Sequence, residues 1–188
     1  MTTRVGLIVE NQSDEDVVSA FVSKLTSKKV QYRSFHSRGC GKLKSKCVAW
    51  ASDLFSRGCR VLLVVQDLDE RNLATLRMEI ETLISSTPFS KRSVIIPIRE
   101  IEAWLLADEI AITAALSLKR NVAATTSPEL ETDAKGRLYD VVYVASEKRV
   151  EYVNTVHNKR IAAHSSIKRI LSKCPSFSVL SSFIGTAI

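Results

Sequence analysis

Three groups of carboxylates stand directly after apolar stretches of this chain: Glu10 after "RVGLIV", Asp67 and Asp69 in "VVQDLDERN", and Glu100 with Glu102 in "IPIREIEAW". Oxygen donors of this kind suit a hard divalent cation. Mg²⁺ commonly takes one or two carboxylates, with water and phosphate completing its octahedron. Residues two apart in an extended chain face the same way, so Asp67 and Asp69 can address one ion together. Like charges gathered this closely repel, and a bound cation is the natural counterweight. A local reading competes with this one. Asp-x-Asp after a strand also serves turns, Asp69 would cap a helix starting near Glu70, and Glu10 would favour a helix N-terminus electrostatically. The recurrence of acids at the ends of successive strands favours the cation.

A second charge feature lies upstream. Between Lys28 and Lys46 stand seven basic residues (Lys28, Lys29, Arg33, Arg38, Lys42, Lys44, Lys46) and no acid, in a chain of net charge +7. Such a run is either a solvated surface or a set of phosphate contacts that position a polyanion without reading its sequence. Aromatic residues make up only 6% of the chain, which argues against a base-stacking platform of the single-strand-binding kind.

These side chains need a scaffold that brings strand ends together. "RVGLIVE" (4–10) reads as a buried strand, "SDEDVVSAFVSKL" as a helix opened by Ser13 and Asp16 as a capping box, and "KVQYRSF" as a weaker strand. The next helix carries Cys47, Trp50, Ala51, Leu54 and Phe55 on one stripe and stops at Gly58. A strand over 60–66, a helix over about 70–85, a strand over 93–98 and a long helix "REIEAWLLADEIAITAAL" follow. Pro97 belongs near a strand end or on an edge. Alternation of this kind predicts a three-layer α/β fold with a mainly parallel central sheet. In such sheets ligands sit beyond the carboxyl ends of the strands. After Leu118 the chain turns polar and proline-punctuated, then helical. This predicts an α/β core over 1–115 and a helical extension over 116–188 packed on it in one compact unit.

Several classes fall away. No run approaches the ~20 apolar residues of a membrane span, and the first apolar run is too short for a signal peptide. Cys40, Cys47, Cys59 and Cys174 form no C-x-x-C pair, so unpaired buried thiols in a reducing cytoplasm are expected in place of a zinc site. His36, His157 and His164 lack metal-ligand spacing, His36 alone lying in the basic run. Trp104, Leu105 and Leu106 read as core. No tyrosine or cysteine is placed as a nucleophile.

The segments "LIVENQSDEDVVSAF", "VVQDLDE" and "IPIREIEAWLLAD", with "KCPSF" near the end, together resemble the Toprim fold. They are most similar to small stand-alone bacterial Toprim-like proteins, a domain-of-unknown-function group related to OLD-type nucleases. The resemblance covers about residues 4–184. It implies Mg²⁺-dependent hydrolysis of nucleic acid (Mn²⁺ also serving), with DNA ahead of RNA. Glu10 would be the acid/base or metal-organising group and Asp67 and Asp69 metal ligands. Asp14 would help a second ion, and Glu100 and Glu102 would line the far wall. Arg33, Arg38, Lys42, Lys44 and Lys46 would contact phosphates. The resemblance further implies an ATPase partner and a role in defence against phage or mobile DNA, or else a catalytically silent regulatory module. Asn11 stands where the usual glycine follows the glutamate. A receiver-like phosphoacceptor is a third reading, but Glu10 with Asp67-x-Asp69 fits its acid pattern less well.

Overall fold

Residues 2–38 and 40–188 are described by the computed structural model, Cys40 through its backbone alone. The strands are β1 (Thr3–Val9), β2 (Val30–His36), β3 (Val61–Val65) and β4 (Lys91–Ile95), joined by α1 (Gln12–Leu25), α2 (Cys40–Ser56) and α3 (Leu73–Ser85). The four strands are all parallel, in the order β2-β1-β3-β4. β3 is buried along its whole length, as its uninterrupted apolar sequence requires.

Alternation along the strands sorts the core into two clusters. Val5, Leu7, Val9, Leu63 and Val65 face α1 and the C-terminal helices, whereas Ile8, Leu62 and Val64 face α2 and α3. The protein is therefore a three-layer α/β fold. Gly6 lets α2 approach: a Cβ there would stand 3.1 Å from Leu54 Cδ1. Gly58 ends the α2 turn at φ +86°, a conformation that favours glycine.

Beyond β4 the chain forms α4 (Glu102–Leu106), α5 (Glu109–Ala115), a 3₁₀ turn (Pro128–Leu130), α6 (Ala134–Ala145), α7 (Asn154–His164), α8 (Ile167–Lys173) and α9 (Phe177–Ala187). Residues from both sides of position 115, including Leu7, Trp104, Ile161, Phe177 and Ile184, share one hydrophobic cluster. Trp104 is fully buried, packs edge-on against Phe21 and Phe177, and donates from Nε1 to Ser176 Oγ at 2.9 Å. The "WLLAD" and "CPSF" segments thus lock against each other.

Local chemistry moves several boundaries. The capping box of α1 is built by Asn11 and Asp14, two residues earlier than Ser13 and Asp16: the Asn11 side chain accepts from Ser13 N–H and Asp14 N–H, and Asp14 Oδ2 accepts from Asn11 N–H. Asn11 lies at φ −149°, ordinary extended backbone, so no glycine is needed there. α3 begins at Leu73 under Asn72, whose side chain accepts from Thr75 N–H, so Asp69 is not its cap. The long helix after β4 is divided because buried Asp108 turns its carboxylate to Ala111 N–H and Ser166 N–H. Pro97 falls just past β4, where its carbonyl accepts from Leu68 N–H. Trp50 and Phe55 are half-buried. Among the described residues no helix is long and apolar enough to cross a membrane.

Candidate metal centre and nucleic-acid interface

Parallel strands place all their carboxyl ends on one side, and the loops there carry backbone strain. Arg38 follows β2, Asp69 follows β3 and Arg99 follows β4, and all three non-glycine residues have φ between +50° and +62°. Their loops are stitched together. Arg38 N–H donates to Glu10 O at 2.8 Å, and Asp69 N–H donates to Arg99 O at 3.1 Å. Beyond β3 and β4 the ladder continues from Gln66 to Ile95 and from Leu68 to Pro97 before this last bond. The αL turn at Asp69 ends the extended run. Asp67 and Asp69 therefore do not stand as an extended pair on one face, contrary to the two-residue spacing.

Asp67 is the hub of the acids. Its carboxyl is pushed well above its ordinary value by burial first, then by Asp14, Glu102, Glu10 and Asp69. Burial and the nearby Glu102 push Asp14 up to about 7, opposed by the Asn11 N–H bond. Glu10 is raised by burial and by Asp69, against Arg71 and a bond from Gln66. Glu102, 5% exposed, is raised by burial and held by Asn158 Nδ2 at 3.1 Å. Each of these acids thus lies within electrostatic reach of another.

The remaining candidates are placed differently. Glu100 accepts from Lys135 N–H at 2.8 Å, at the start of α6. It reaches Glu102 electrostatically, but it is not among the charges acting on Asp67. Asp69 is exposed and paired with Arg71 at 3.1 Å, on the wall of a cavity of about 450 Å³ that Arg99 and Glu129 also line. Among the described residues no group of three or more His, Cys, Asp or Glu side chains is already set in metal-binding geometry. The donor chemistry nevertheless fits a hard cation: every acid is an oxygen ligand, and among the described ion pairs only Asp69 of these acids has a cationic partner, although Arg71 and Lys135 act at longer range on Glu10 and Glu102.

Of the basic residues, Arg38 sits at this carboxyl end through its bond to Glu10. Lys42 and Lys46 are exposed on the first turns of α2. Lys44 points elsewhere and pairs with Glu79 of α3 at 2.6 Å. Arg33 lies in mid-strand on β2, in register with Gly6 and away from the strand end. His36 Nε2 meets Glu15 Oε2 at 2.7 Å. Cys47, Cys59 and Cys174 are free and buried; Gly39 and the side chain of Cys40 lie outside the described residues.

Three residues of the site escape a reading of motifs. Gln66 is 1% exposed and donates to Glu10. A lone amide at the end of a buried apolar strand was a usable signal, since a buried polar group needs a partner. Arg71 binds the Asp67 carbonyl as well as the Asp69 carboxylate. Asn158 is fully buried and links Glu102 to the Tyr152 hydroxyl, which donates to Asn158 Oδ1. Nothing in the polar segment around Asn158 announces a partner 56 positions away.

No curated protein and no solved structure is detectably similar to the chain. A family match extends over residues 9–184, taking in every acid of the site, the α4 segment and "KCPSF". By that match the chain belongs to the family described as Domain of unknown function (DUF4276).

Proposed function

We propose that this protein is a metal-dependent nuclease of Toprim type, hydrolysing phosphodiester bonds of nucleic acid in the cytoplasm. The observation that carries this reading is the crowding of Glu10, Asp14, Asp69 and Glu102 around the raised carboxyl of Asp67, at the sheet end where parallel α/β folds bind ligands. A cluster that disfavours its own ionisation is stabilised by a cation. Glu10, Asp14, Asp67 and Glu102 would hold Mg²⁺ or Mn²⁺, with Asp69 joining once Arg71 releases it. Bound there, the ion would supply Lewis-acid activation of water and charge stabilisation at the departing oxygen.

The chain's own residues do the rest. Gln66 orients Glu10, the capping box fixes Asp14 at the start of α1, and Asn158 holds Glu102. Arg38, Lys42 and Lys46 stand at the same end of the sheet to receive phosphates, which favours nucleic acid over a small neutral substrate. DNA is the first substrate to test, and defence against phage or mobile DNA together with an ATPase partner is the biological setting the Toprim resemblance suggests.

The Arg71–Asp69 pair and the absence, among the described residues, of a preformed metal triad favour a second reading: a silent Toprim-like module that binds nucleic acid or regulates a partner. Cleavage of plasmid and single-stranded DNA in Mg²⁺ against EDTA separates the two. Hydrolysis should require the metal and be abolished by Asp67→Asn and by Asp69→Asn in folded protein. Near-wild-type cleavage by both variants would defeat the assignment, and binding without cleavage at any divalent ion would leave the silent module.

A further inference from the structure

On α2, positions 42, 46 and 50 fall within one face of the helix, about a quarter of its circumference at 100° per residue, and Arg57, just past the last residue of the helix, extends that face. Lys42 and Lys46 are exposed there, and neither has a carboxylate partner among the described ion pairs. Trp50 is next on the same face. It is half-buried, and its ring stacks on Phe35 of β2 with centroids 5.4 Å apart and planes 6° from parallel. The Arg57 guanidinium lies 5.7 Å from the Phe35 centroid. Asp53, the only acid of α2, is neutralised by Arg57 at 2.7 Å.

The neighbouring edge strand continues the pattern. Arg33 and Phe35 are in register with Gly6 and Ile8, whose sheet face α2 covers, so both lie on the α2 side of β2. Burial pushes the Cys59 thiol up, and the guanidinium groups of Arg33, Arg4, Arg60 and Arg57 oppose it, which places further positive charge beside this edge. At the other end, the loop holding Arg38 is bonded to Glu10.

We infer that the α2–β2 edge is a track for single-stranded nucleic acid, with phosphates on Arg38, Lys42, Lys46 and Arg33 and an unpaired base stacked on the Trp50–Phe35 pair. The track leads to the acidic end of the sheet. It rests on the reading of the protein as one that handles nucleic acid, and it adds strand type, polarity of approach and a stacking residue. A duplex offers no free base face to Trp50, so the aromatic pair selects single strands. Low overall aromatic content does not oppose this, because one stacked pair placed among unpaired cations suffices for one base. If the pair served only to cover the second core cluster at an edge strand, a nucleic acid would not affect it.

Intrinsic fluorescence tests the track without any cleavage. The chain has two tryptophans, and Trp104 is fully buried, so Trp50 is the one that a ligand can reach. In EDTA, oligodeoxythymidylate should quench the Trp50 share of the emission of the full chain, and a duplex of mixed sequence should not. Trp50→Leu should weaken single-strand binding about 5- to 150-fold, the range spanned by base–aromatic stacking. Trp50→Phe should restore most of it. The unquenched emission of Trp104 reports that Trp50→Leu is folded. Equal binding of duplex and single strand, or wild-type affinity in Trp50→Leu, overturns the track even if metal-dependent cleavage is found. Quenching without cleavage sustains the track and removes the nuclease.

Discussion

Asp14 offers the sharpest test of whether the acids at the sheet end form one electrostatic unit. Its carboxyl is nearly buried and rises from an ordinary 3.8 to about 7, because of burial first and Glu102 next. A folded-state value above the unfolded one means that the group's stabilising contribution is complete below about pH 4. It is then lost as pH climbs through about 7. Full ionisation of this one group corresponds to about 4 kcal/mol, a large part of the ~5–15 kcal/mol that holds a domain together. Part of that is shared with Asp67 and Glu102, so a single substitution recovers less. Asp14→Asn keeps one acceptor for Asn11 N–H and forfeits the second oxygen, a loss of about 1 kcal/mol. In EDTA the variant should be more stable than wild type by about 1–3 kcal/mol near pH 8, or about 2–4 °C in Tm for each kcal/mol. Near pH 4 it should be about 1 kcal/mol less stable. Urea unfolding at the two pH values measures this. Adding Mg²⁺ at a hundredfold excess over its Kd should give wild type about 2.7 kcal/mol, and the variant clearly less. If Asp14→Asn is destabilised equally at both pH values and responds to Mg²⁺ as wild type does, Asp14 serves the capping box alone and the shared cation site fails.

Replacing Lys42 and Lys46 with Gln should weaken nucleic-acid binding across sequences and flatten the slope of log K against log[salt] by roughly one unit per lost contact. Lys44→Gln should change that slope far less, because Lys44 is engaged by Glu79; equal effects of the three would show a diffuse charge effect. Asn158→Ala should leave both Glu102 and the Tyr152 hydroxyl without their partner and destabilise the fold by about 1–3 kcal/mol, as read by urea midpoints. Wild-type stability there would mean that water replaces the amide and that Glu102 is held by something else.

The layered fold was legible because it rests on runs that carry their own signal. β1 and β3 are short apolar stretches, and β2 and β4, half-polar, are what edge strands should be; the polar start of β4 at Lys91–Ser93 is why the apolar run places it too late, at 93–98. What misled was chemistry that competes within a few residues. Ser13 and Asn11 are both good caps, and the chain uses the one that lets Asp14 reach back to the Asn11 amide. "WLLADEIAITAAL" has uninterrupted helical spacing, yet Asp108 is drawn to backbone amides of α5 and of the 165–166 turn, one of them 58 positions distant. For the acids, strand-end position identified the group, but side-chain direction depended on φ at Asp69 and on Arg71, neither of which a spacing rule contains.

The segments most specific to the family resemblance, "EIEAWLLAD" and "KCPSF", lie mostly behind the acids, and this explains how they hold them. α4 has Glu102 at its first position and Ala103 to Leu106 buried behind it. The rest of the helix is fastened by Trp104 to Phe21, Phe177 and Ser176, while Cys174 Sγ lies 3.6 Å from the Ala103 carbonyl oxygen. α7 then supplies Asn158 to the Glu102 carboxylate and packs on α1, whose first turn carries Asp14. A raised, repelling carboxylate such as Glu102 would relax toward solvent unless its backbone were fixed from behind. The C-terminal helices provide that fixing. Residues from beyond position 115 therefore belong to the acid site as much as the strands do, and they act on it by restraining where Glu102 and Asp14 can go.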